Sequence, residues 1–174
     1  MPVDLNARYS NAWSEVNTRL GLRQNAISVY ATLMSFVVAG MGLKGPTGAS
    51  IASLIAFLVP VLSLLFALLV FMHDRIIGNL CTFIKECEVL GNTGTTPLPN
   101  YLTDPKWSKH DNRIRKWHHV VCAGLVVVFN VLAFFAANAA RPDLFAWNSV
   151  IMWAQFGLAI LAVVIVLLTM RPST

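Results

Sequence analysis

Four histidines and one aspartate hold the positions from which metal or proton chemistry could start: His73 beside Asp74, His110 alone, and His118 beside His119. Imidazole titrates near pH 6.5, so the two dipeptides, if they converge at one depth, could sense pH or ligate a metal. Zinc motifs separate paired ligands by roughly two to four residues so that both side chains reach one ion. Neither His118 with His119 nor His73 with Asp74 has that spacing, so no metal and no other cofactor is expected. As ordinary interfacial residues, grouped with Arg75, Arg113 and Arg115, they would meet lipid headgroups or bond across helix ends. The chain has no phosphate-cradling glycine loop, paired-carboxylate motif, Gly-x-Ser-x-Gly elbow or Cys-x-x-Cys pair. Enzymatic activity is therefore not expected.

Arg113 and His118 have four residues between them, a spacing that resembles the motif of HEPN ribonucleases. In those enzymes the motif sits in a soluble helical dimer. Here it adjoins an apolar run and Trp117, an interfacial anchor type, and so fits a basic collar whose long side chains snorkel to the headgroups.

These residues are held by a chain built for a bilayer. Of 174 residues, 56% are hydrophobic and only 12% charged, more apolar surface than a soluble globule could hide. Four stretches, 26–43, 49–72, 120–140 and 147–170, contain no Asp or Glu, and Lys and Arg are absent apart from Lys44 and Arg141 just outside them. Each is long enough to cross about 30 Å of hydrocarbon as a helix. The expected fold is an all-α membrane protein with four transmembrane helices, both termini inside, and a helical cytosolic extension.

Orientation follows from charge, because Lys and Arg near span ends stay in the cytosol. Of the 13 Lys and Arg, only Lys44 and Arg141 fall in the outer loops. The net charge of +5 therefore belongs to the cytosolic face, and its natural partner is the anionic inner leaflet rather than nucleic acid. The first 25 residues are polar and amphipathic, so a cleavable signal peptide is not expected. Cys81, Cys87 and Cys122 fall in or near the cytosol, where thiols stay reduced, and no disulfide is expected.

Leu5, Tyr9, Trp13, Val16 and Leu20 recur at helical spacing, and Ile27, Tyr30 and Met34 continue the stripe past Gly21. The segment could lie in the membrane interface, but a helix continuous with the first span fits the stripe better. After the second span, Ile76, Ile77, Leu80, Cys81, Ile84 and Cys87 line one side of a helix, with Asn79, Lys85, Glu86 and Glu88 mostly on the other. Gly91 to Pro105 reads as a linker, crowded with Gly, Thr, Asn and Pro. The chain thus divides into a cytosolic amphipathic helix (1–25), two spans (26–72), cytosolic helices with the linker (73–119), two spans (120–170) and a tail (171–174).

Few polar groups enter the spans. Thr32, Ser35, Ser63, Asn130 and Gln155 are candidates either for interhelical hydrogen bonds or for the lining of a polar path. No ionisable residue stands at midplane, which counts against a proton-driven transporter. Pro60 removes one backbone hydrogen bond in the second span and is a candidate hinge. Ala31, Ser35 and Ala39, four apart, form a small-residue strip that permits close helix approach within one subunit or between copies.

Tyr9, Trp13, Asn17, Arg19, Arg23 and Gln24, on a helix leading into the first span, resemble the small bacterial membrane effectors called SLATT-like. The resemblance covers the first half of the chain and rests on architecture; members of that family typically have two spans and a long helical tail. It implies a homo-oligomer in the bacterial inner membrane that opens a pore or perturbs the bilayer on a cytosolic cue, in anti-phage defence. The rival function is a non-conducting scaffold whose cytosolic helices recruit a soluble protein partner.

Overall fold

In the computed structural model, residues 5–41, 46–91, 102, 105–140, 142 and 150–168 are described, with side chains at 6–40, 58–91, 102, 116–139, 142 and 150–168. Among them are four helices and no strand: α1 (Leu5–Met41), α2 (Pro46–Gly91), α3 (Pro105–Ala140) and α4 (Val150–Leu168). Three contain stretches long and apolar enough to cross a membrane: Leu58–Gly91, Lys116–Ala139 and Val150–Leu168. The chain is thus a membrane-embedded, multi-pass helical protein. α1 is not among them, and the described residues cover only part of its expected span at 26–43.

Three helices outrun the bilayer, α3 with 36 residues as well as α1 and α2. At 37 and 46 residues, α1 and α2 are about 55 and 70 Å long at a rise of about 1.5 Å per residue. α1 runs unbroken through Gly21, where an added Cβ would meet nothing within 4 Å, so the glycine costs only its helix propensity, about 1 kcal/mol. α1 packs along α2 and, to a lesser extent, against α3, while α4 packs on α2 and α3.

The apolar stripes divide into two cores. Between the membrane-depth segments, Tyr30, Met34, Phe66, Val70, Val126 and Val166 meet with other small and aliphatic side chains. Beyond them, Ala12 and Val16 of α1 close on Ile84 of α2, with Tyr9, Trp13, Leu80 and Leu102 packed around. The N-terminal stripe is therefore covered by protein, namely the extension of α2.

One side chain departs from the expected pattern. Glu88, grouped by sequence with the polar side of α2, is buried and accepts a hydrogen bond from the Tyr9 hydroxyl at 3.4 Å. Helix α1 reaches far enough along α2 to cover that position. Of the expected linker, Gly91 ends α2, Pro105 opens α3 and Leu102 is described between them; 92–101 and 103–104 lie outside the described residues, as do 42–45, 141 and 143–149 on the outer side. The ends of the expected spans at 42–43, 147–149 and 169–170 lie outside them too.

Candidate functional site

Arg23 interrupts the buried stripe of α1. It stands at helical spacing between Val16 and Tyr30, both buried, and is itself only 8% exposed. A guanidinium there must find an anion, because an unpaired charge out of water costs several kcal/mol. Its Nη1 donates to Oδ1 of Asp74 on α2 at 2.5 Å, and both side chains are 9% exposed. From α3, the fully buried His119 places Nδ1 3.5 Å from the other carboxylate oxygen of Asp74. Arg23 and Asp74 thereby tie α1 to α2 by charge where the long hairpin leaves the apolar bundle, and His119 brings α3 against the same carboxylate.

The flanking residues surround this contact unequally. His73 is buried, and its Nδ1 has no hydrogen-bond partner among the described residues. The His118 ring meets that of His119 edge-on, with centroids 5.6 Å apart, and its Nδ1 lies 3.8 Å from the buried Cys122 thiol. Arg75 does not join them: it is exposed, with its guanidinium 5.5 Å from the centroid of the Phe71 ring on its own helix. Arg113 and Arg115 are on α3, but their side chains lie outside those described.

Among the described residues, no three His, Cys, Asp or Glu side chains are grouped to hold a metal ion. The Arg23 guanidinium occupies one carboxylate oxygen of Asp74, and the other, Oδ2, has no hydrogen-bond partner among the described residues. Arg23 itself was not among the sequence-derived cluster residues. The usable signal was the gap in the apolar stripe between Leu20 and Ile27, filled by an arginine instead of an aliphatic residue.

Deeper in the bundle a second polar group joins the same three helices. The Tyr30 hydroxyl and Ser63 Oγ are 2.8 Å apart, and Asn130 Nδ2 donates to Ser63 Oγ and to the Val126 carbonyl, each at 2.8 Å. The Tyr30 ring stacks on Phe66 at 4.2 Å between centroids. Such bonds hold helices together at roughly 1 kcal/mol each.

Asn130 also borders a groove of about 590 Å³ between α3 and α4, shared with Gln155 and Pro60 and otherwise walled by apolar side chains such as Phe134 and Phe156. Gln155 is buried. α2 continues as a helix through Pro60. Thr32 and Ser35 are elsewhere: both are exposed on α1, and Ser35 Oγ donates to its own helix at the Ala31 carbonyl, at 2.8 Å. In the small-residue strip, Ser35 and Ala39 are likewise exposed rather than packed within the chain.

Comparison with protein-family models, with curated proteins and with solved structures finds no match to this chain, so its function has to be read from these residues themselves.

Proposed function

We propose that the chain is an oligomeric membrane effector with four spans and both termini in the cytosol, whose hairpin of α1 and α2 controls a pore or a perturbation of the bilayer. The observation that carries this is the buried contact of Arg23, Asp74 and His119. It joins the three helices where the hairpin meets the bundle, so a cytosolic ligand that tilts the hairpin must either move the membrane segments or break the ion pair. A buried ion pair suits such a latch because its geometry is specific while its net stability is small. The SLATT-like resemblance supports the bacterial inner membrane and phage defence as the setting.

A scaffold that recruits a soluble partner is the second reading. Val89 and Leu90, 61% and 65% exposed at the far end of α2, are apolar residues that such a partner could cover.

Flux through liposomes separates the two. With an imposed potassium gradient and a potential-sensitive dye, the full chain should be nearly closed. Arg23→Gln should leak, and the charge-exchanged pair Arg23→Asp with Asp74→Arg should be closed again. If parent and Arg23→Gln stay closed even when the soluble partner is bound, the effector reading fails and the scaffold reading stands.

A further inference from the structure

Helix α1 differs from the other three in what it turns outward. The exposed positions at membrane depth on α2, such as Leu58, Leu65 and Leu69, are apolar, as are Val127 and Val131 on α3 and Ile160 and Val164 on α4. On α1, by contrast, Gln24, Asn25, Ser28, Thr32 and Ser35 are exposed.

Most of these belong to a line that runs the length of the helix. Ser10, Ser14, Asn17 and Gly21 in the cytosolic half are followed by Gln24, Ser28, Ala31 and Ser35, in alternating steps of four and three residues. None of them is buried and none is charged, since Glu15 and Arg19 pair with each other off this line and Arg23 turns inward to Asp74. Beyond Asn25 and Thr32, exposed at the edge of the line, Leu22, Val29 and Phe36 repeat every seven residues and are 44%, 57% and 72% exposed, with Leu33 at 46%.

The hydroxyls and amides of that line would go unsatisfied against hydrocarbon, so at membrane depth they call for water or a further helix. Among the described residues no other helix covers it. α1 meets α2 and α3 through Val16, Arg23, Tyr30 and Met34, which lie off the line and are buried. A neutral line is compatible with its own copy, as a charged one would not be. A polar face beside an apolar flank is also what a ring of helices requires: the flank meets the neighbour and the polar face meets water.

We propose that α1 packs against α1 of further copies of this chain through the Leu22, Val29 and Phe36 flank, so that the hydroxyl and amide line surrounds a water-filled path. The path takes small hydrophilic solutes and inorganic ions of either sign, because no charged side chain lies along it. This rests on the pore-forming reading above and names its partner and its lumen.

The test uses the leaking Arg23→Gln full chain in liposomes as the parent, with single cysteines added as Ser28→Cys, Ser35→Cys, Val29→Cys and Leu68→Cys; this parent, with its own three cysteines, defines the background. A charged, membrane-impermeant thiol reagent should lower flux about tenfold in Ser28→Cys and Ser35→Cys, and leave Leu68→Cys and the parent within about twofold. Val29→Cys should give a cross-linked dimer with a bis-maleimide, and potassium and chloride should permeate within roughly threefold of each other. Flux that persists after modification of both Ser28→Cys and Ser35→Cys overturns the proposed lumen while leaving the pore reading intact. Val29 cross-links without flux from any variant, the leaking Arg23→Gln chain included, overturn the lumen and the pore reading together. Blockable flux without cross-links overturns the proposed flank.

Discussion

Asp74→Asn isolates the charge in the buried contact, since it keeps the side-chain volume and an oxygen acceptor for Arg23 while removing the counter-ion. In the parent, Arg23 Nη1 is 2.5 Å from Asp74 and each side chain is 9% exposed. Taking one partner from a buried pair costs about 3–5 kcal/mol, because the remaining charge is stranded. Position at the edge of the bundle favours the lower figure, about 3 kcal/mol, or roughly a hundredfold in the folded-to-unfolded ratio.

Arg19 and Glu15 provide the contrast within one helix. Their nitrogen–oxygen distance is 2.7 Å, but the side chains are 32% and 42% exposed. Glu15→Gln should therefore cost about 0.5 kcal/mol or less. Distance alone would rank the two pairs together; burial separates them. The assay is unfolding of the full chain by SDS titration in mixed micelles, followed by tryptophan fluorescence. Asp74→Asn should unfold at clearly lower SDS than Glu15→Gln, and Arg23→Met with Asp74→Leu should recover most of the loss, since a buried pair can be replaced by apolar side chains at little net cost. Equal midpoints for Asp74→Asn and Glu15→Gln would refute the argument from burial. So would a double variant no more stable than Asp74→Asn.

Ile84→Ala removes the fully buried side chain that closes the cytosolic core on Ala12 and Val16, at a cost of about 2–5 kcal/mol. Amide exchange should accelerate across 5–20 and 77–91 but not around Tyr30 and Ser63; uniform acceleration would mean that hairpin and bundle unfold as one unit. A reporter fused after Thr174 and another inserted at Asn92 should both signal the cytosol, given where the basic residues lie. A periplasmic signal from either rules out the four-span, both-ends-inside arrangement.

The helices were legible in the sequence because the forces that specify them are local. Long apolar runs and stripes at helical spacing record which segments leave water and which face each one hides. Thus the all-helical, membrane-embedded class and the apolar stripes from Tyr9 to Leu20 and from Ile77 to Ile84 can be read one segment at a time. The gap at Arg23 was also visible, but an arginine near a span end is equally well explained by headgroups. The same ambiguity holds for Ser63 and Asn130, whose hydroxyl and amide could serve a wet path or a dry contact.

Tertiary structure sets depth and azimuth, which no short window of sequence contains. Arg23 and Asp74 are 51 residues apart; they meet because α1 and α2 pack along each other at a particular register, and a slip of one turn would part them by about 5.4 Å. Ser63 and Asn130, 67 residues apart, depend in the same way on the register of α2 with α3. Glu88 stands four residues after Ile84 and so shares its face by helical spacing; only its partner, the Tyr9 hydroxyl 79 residues away, depended on the packing of α1 along α2. Segment character follows from each residue's transfer between water and apolar surroundings, while partner choice follows from the rigid-body placement of whole helices, which only the packed bundle provides.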